Sequence, residues 1–183
     1  ALLSAGGSGL DFQGPVVVGR PKVVELDVHG ATRFRGAVDD DSSPSVLEIV
    51  GRNDVSFATV GGATPLGGLK IVNGDQVAFN GDASARTIDV AHAFGTITVA
   101  GALSTTARGA ATGLALDSRG QIVLNGSVSS PDQRVRLSAS QGIAAPGSIR
   151  AGHLVIEARG AGRLDSPRNR VDVLSGDVQG PLT

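Results

Sequence analysis

Few residues in this 183-residue chain are of types that do chemistry, and their spacing decides how far each can be taken. His29, His92 and His153 lie 63 and 61 residues apart in unrelated contexts, with no HxxxH or HxxE pairing. They read as surface or loop side chains, so the expectation is no metal site. The run Asp39-Asp40-Asp41 offers oxygen donors to a cation such as Ca²⁺, but it lacks the alternating acidic spacing of a calcium loop. It reads as a solvated loop tip. Asp75, Asp82, Asp89 and Asp117 read as turn residues that do not converge. Glycosidase chemistry needs two carboxylates at a defined separation, usually beside aromatic sugar platforms, and this chain has five Phe and neither Tyr nor Trp. Cysteine is absent, which removes thiol nucleophiles, thiolate metal sites and disulfides, and no nucleophile-elbow motif occurs. The expectation is therefore no catalytic residue, no cofactor and no enzyme.

Two Arg-x-Arg pairs are the binding candidates. Alternation along a strand puts Arg134 with Arg136, and Arg168 with Arg170, on one strand face each. Stacked on nearby layers they would form a basic patch for acidic glycans. Arg33 and Arg35, flanking Phe34, point outward in the same way. The plain alternative is that all six are simply the polar outer positions of a coil.

The elements that must position these residues are strands. Period-two alternation recurs in VELDV (24–28), LKIV (69–72), TITVA (96–100), QIVLNG (121–126) and RVRLSAS (134–140), with Asn-Gly turns at 73–74, 80–81 and 125–126. No stretch of ten residues carries a helical period. Aspartate outnumbers glutamate 14 to 3 and arginine outnumbers lysine 14 to 2, so the residues that coat helix surfaces are scarce. The 27 glycines suit tight corners. A formal net charge of −1 argues against nucleic-acid binding through bulk charge, and no apolar run is long enough to span a membrane.

The strands also repeat. Phe12, Phe34, Phe57 and Phe79 follow one another at steps of 22, 23 and 22, and Val24 with Leu26, Leu47 with Ile49 and Leu69 with Ile71 precede the last three by ten and eight residues. Ile88 and Val90 precede Val99 by eleven and nine, a one-residue slip. A unit of two or three short strands cannot bury its own apolar face, and stacking copies in parallel solves that. The pattern predicts an all-β fold, a right-handed parallel β-helix of roughly eight rungs of about 20 residues, with the Phe rings in one inward column. Gly14, Gly36, Gly81, Gly101 and Gly126, each two residues past the column, are expected to corner with positive φ. The alternative is an antiparallel β-sandwich.

The phrases LALDSRGQIVLNGSV, RVRLSASQGIAAPGSIRAGHLVIEA and GRLDSPRNRVDVLSGDVQGPL resemble the shaft repeats of filamentous haemagglutinin-like bacterial exoproteins. That resemblance implies a structural shaft segment of a secreted, non-enzymatic adhesin of the two-partner-secretion type, on the outer surface of a Gram-negative bacterium. Residues 1–183 would then be one solenoid segment of a longer protein. The implied partners are host or bacterial cell surface, glycan or matrix, with end-to-end self-association and no membrane insertion. The alternatives are a self-assembling extracellular filament subunit and, lower, a polysaccharide-active enzyme.

Overall fold

The computed structural model describes residues 2–5, 7, 9–19, 23–106 and 112–183. The opening ALLSAGGSG falls partly outside that set. Every strand pairing in the described residues is parallel, and the chain winds as a β-solenoid of about eight turns with no helix among those residues. An antiparallel sandwich is thereby excluded.

Each turn lays down three short strands, one on each of three faces. Face A holds Leu2–Ala5, Val23–Val28, Val46–Val50, Gly68–Val72, Ile88–Ala93 and Thr112–Ser118. It continues through the later parts of Val128–Ala139, Ile149–Ala158 and Arg170–Val178. Face B holds Leu10–Phe12, the starts of Thr32–Asp40 and Val55–Val60, Val77–Phe79, Ile97–Val99, Gln121–Leu124, Gly142–Ala144 and Gly162–Arg163. Face C holds Val16–Val18, the ends of Thr32–Asp40 and Val55–Val60, Ala83–Ala85, Leu103–Thr105 and the starts of the three long late strands.

Strand pairing in register makes like residues stack. On face B the rings of Phe12, Phe34, Phe57 and Phe79 have centroids 4.8, 5.0 and 5.5 Å apart and lie within 15° of parallel. That separation is close to the ~4.8 Å between paired strands, so the backbone ladder itself brings the rings to stacking distance. Val99 and Leu124 continue the column in register. Face A builds a second column from Leu26, Ile49, Ile71, Val90, Leu116, Leu137 and Ile156, all buried. Interior packing is therefore a set of one-dimensional rows, each member touching its counterpart about one turn of chain away.

The one-residue slip in the fifth unit has a local cause. Register between Ile88–Ala93 and Thr112–Ser118 shifts between Val90 and Ala93, and His92 sits there with φ of 61°. His92 is an extra, exposed residue bulged out of the ladder, so the columns stay aligned while the turn gains one residue.

Three expectations need correction. The corner glycines Gly36, Gly81, Gly101 and Gly126 are required for closeness, not for positive φ, which none of them adopts. A Cβ on Gly101 would strike the backbone of Gly81, and one on Gly126 would strike Gly101, so successive corners pack main chain on main chain. Secondly, Asp39-Asp40-Asp41 is not a solvated tip. Asp40 is 5% exposed and accepts from Ser45 N at 2.6 Å, while Asp39 accepts from Ala63 N at 2.9 Å and Asp41 from Ser43 N at 3.0 Å. The run ties down backbone amides of the loops around it, which is why it is acidic. Thirdly, Asp89 and Asp117 lie within face A strands, not in turns.

Polar residues inside the coil sit where a corner needs a partner. Buried Asn53 donates from Nδ2 to Val28 O and to Thr32 Oγ1, both at 3.2 Å, bridging two turns. Thr105 Oγ1 and Ser130 Oγ lie 2.6 Å apart and reach Gln133 Oε1 at 3.0 and 3.2 Å.

Two outcomes follow from this packing. Phe57→Ala is expected to lower unfolding free energy by about 3–5 kcal/mol in urea titration, because it opens a gap in a continuous column; a loss below ~1 kcal/mol would show the stack carries no weight. Gly101→Ala should cost about 1–3 kcal/mol by forcing two corners apart. An unchanged midpoint would show that the corners have room.

Candidate functional site

With the interior filled by rows of side chains, chemistry is confined to what points outward from the three faces. On face A the outward row runs Glu25, Glu48, Lys70, Asp89, Ala115, Arg136, Val155 and Ser175, each in register with the next. Most of its charges are paired. Lys70 Nζ meets Glu48 Oε1 at 2.7 Å, and an Arg136 terminal nitrogen meets Glu157 Oε2 at 2.7 Å. The small Ala115 leaves a shallow cleft of about 370 Å³ between Asp89 and Arg136, walled by Thr87 and Thr112. Burial there raises the Asp89 carboxyl above its ordinary range; Lys70 opposes the shift and the like charge of Asp117, one rung away, adds to it. Asp89 and Asp117 thus stand on neighbouring rungs of one face, which the sequence reading of scattered turn aspartates missed.

Face B is plainer. Its outward row is Asp11, Arg33, Ser56, Ala78, Thr98, Val123, Ala144 and Arg163. Arg35 grips Asp11 through two hydrogen bonds of 2.9 and 3.0 Å, which holds the Asp11 carboxyl below its usual range. At the corner between faces A and B, the guanidinium groups of Arg52 and Arg119 lie 4.5 and 4.6 Å from the ring centre of Phe94. Arg52 also pairs with Asp75 at 2.8 Å. The fifth phenylalanine is thus an outer clamp across several rungs, which the sequence reading did not anticipate.

Face C differs in kind. Ser84, Ser104, Ser129, Arg150 and Arg170 form one outward row in unbroken register. Among the described residues, the three serine hydroxyls have no hydrogen-bond partner, and neither Arg150 nor Arg170 has a carboxylate partner.

The four arginines expected to form a basic patch are therefore dispersed. Arg134 is exposed at the corner between faces C and A, in register with His153. Arg136 lies on face A, neutralised by Glu157. Arg168 is exposed in a turn where its backbone N donates to Ser166 Oγ at 3.3 Å, and Arg170 stands on face C. The neighbour of Arg170 is Arg150, which a search at i, i+2 spacing passes over. The signal that finds it is the repeat itself, since the two are 20 residues apart.

His29 and His92 are exposed, whereas His153 is half-buried in a strand with its Nε2 2.7 Å from Ser175 Oγ. Among the described residues, no three His, Asp or Glu side chains gather where they could hold a metal, and no helix is long and apolar enough to cross a membrane. No family model, curated protein or solved structure matches this chain.

The raised pKa of Asp89 has a definite sign in stability. Its ionised form is less favourable folded than unfolded, so the cost is full above the folded pKa and vanishes as pH falls below the ordinary aspartate value of about 4. Asp89→Asn should therefore raise the melting temperature at pH 7, with the gain shrinking toward pH 3. A variant that melts lower at pH 7 would overturn the assignment.

Proposed function

We propose that the chain is a structural shaft segment of a secreted bacterial surface adhesin, related to the filamentous haemagglutinin-like exoproteins. Its action is mechanical and interfacial: a stiff rod carries loops and outer faces into contact with a host or bacterial surface, without catalysis. The observation that supports this reading best is the continuity of the three parallel ladders. Three unbroken rows of strand hydrogen bonds, with the Phe and aliphatic columns inside them, resist bending because any bend must open several rows at once. At ~4.8 Å per rung, eight rungs span about 40 Å.

A second reading, a self-assembling filament subunit, has its own support. Leu174 continues the column of Val135 and Leu154 in register, yet it is 53% exposed. A further rung laid on it, from continuing chain or from a second copy, would bury it.

Beads coated with the folded chain should be retained on cultured epithelial cells or bacterial lawns, and beads coated with heat-unfolded chain should wash away. Equal retention of both would sink the adhesin reading. Long filaments in electron micrographs that lengthen with protein concentration would favour the subunit reading.

A further inference from the structure

We propose that face C is a docking surface for an extended acidic polysaccharide laid along the rod axis, its carboxylate or sulfate groups held by Arg150 and Arg170 and its hydroxyls by Ser84, Ser104 and Ser129. The geometry comes from strand register. These five outward residues occupy five successive rungs, so their backbones step by ~4.8 Å in a straight line. That step is close to the length of one hexose in an extended chain. A ligand with one polar group per step can therefore meet one side chain per rung.

The chemistry along the row is graded. Three half-exposed serines make a low floor of free hydroxyls, which are both donors and acceptors and suit sugar hydroxyls. Two exposed guanidinium groups follow on neighbouring rungs. Like charges set directly opposite in a sheet repel. Glu25 beside Glu48 and Glu157 beside Asp177 repeat the arrangement on face A, but there Lys70 and Arg136 supply the counter-charge. Arg35 is matched with Asp11, Arg52 with Asp75, Lys70 with Glu48 and Arg136 with Glu157. Arg150 and Arg170 are the in-register cationic neighbours, among the described residues, that lack such a match.

Nor do nearby carboxylates supply one: Asp132 and Asp172, on the strands that carry the row, form no ion pair among the described residues. Asp39 accepts from Ala63 N and Thr64 N at 2.9 and 3.3 Å, and Asp82 accepts from Ala102 N at 2.8 Å. The guanidinium fork binds a carboxylate or sulfate oxygen pair through two parallel bonds, so an anion bridging the two rungs would relieve the repulsion. A nucleic acid fits less well: the net charge is −1, and no aromatic side chain stands in the row for a base to stack on. The proposal stands independently of the adhesin reading, since it rests on one face of the coil whatever protein the coil belongs to.

The test is binding of the intact chain, immobilised on a sensor, to polygalacturonate, to its fully methyl-esterified neutral form, to a sulfated glycan such as heparin and to single-stranded DNA. Polygalacturonate or the sulfated glycan should bind with an affinity that falls as salt rises. The neutral ester should bind at least about tenfold more weakly, a 1.4 kcal/mol difference. The double variant Arg150→Gln/Arg170→Gln should lose about tenfold or more, while Arg136→Gln on face A keeps full affinity. Ser104→Val, a strand-compatible change that removes the central hydroxyl, should weaken binding several-fold and reports on the row even if the double variant folds poorly. Preference for the sulfated over the carboxylated polymer keeps the surface and assigns its anion. Absence of acidic-glycan binding, indifference to the arginine and serine changes, or equal affinity for DNA would overturn the proposal.

Discussion

The register of parallel strands is the constraint on which everything else in this rod depends. Once each rung is hydrogen-bonded to the one below it, a residue's closest neighbours are its counterparts about twenty positions away, not its neighbours in sequence. Inside, that forces like onto like. Phenylalanine stacks on phenylalanine within 15° of parallel because the ladder leaves the rings no other geometry. Leucine, isoleucine and valine substitute for one another along the face A column because a row tolerates a change of shape better than a change of size.

The same constraint explains the corners. Main chain passes over main chain at successive turns, so Gly81, Gly101 and Gly126 stand where any side chain would strike the rung beneath. Where the turn is wider, a polar side chain fills the space and bonds across rungs. Gln76 N donates to Asp54 Oδ1 at 3.2 Å, and Thr96 N donates to Gln76 Oε1 at 2.9 Å, one step further along. Strand hydrogen bonds hold the faces, and side chain-to-amide bonds hold the bends between them. The bulge at His92 shows how the scheme absorbs an insertion: the extra residue leaves the ladder so that Val90 and Val99 need not leave their columns.

What was legible in the sequence divides along the same line. The Phe period, the Leu-x-Ile partner strands and the parallel solenoid could be read because they repeat over many rungs, and repetition raises a weak local pattern above chance. Corner glycines were legible in position but not in cause, since a close approach between turns is invisible until the turns are stacked. Asp39-Asp40-Asp41 was misread because a charge run looks solvated, whereas Asp40 and Asp41 bind amides of their own loop, at Ser45 and Ser43, and Asp39 binds Ala63 N of the next turn. The arginines failed for a related reason. Arg134 with Arg136 was sought along the strand, while the neighbour that matters lies across it, as Arg150 does beside Arg170.

A surface built this way favours a particular kind of ligand. The described interior is filled by side chains, and the cleft beside Asp89 is shallow because a single alanine creates it. What the rod offers instead is repetition: rows of side chains at constant spacing, each contact weak by itself. A partner gains from such a row only if it is long and repeats at a compatible interval, because each added contact then forms at high effective concentration. Charge decides between the faces. Face A largely satisfies its own charges in pairs, and face B shows alanine, threonine and valine over its middle rungs. Among the described residues, face C combines unsatisfied hydroxyls with two unmatched cations in one line, so selectivity for an extended anionic chain arises from the register that builds the rod.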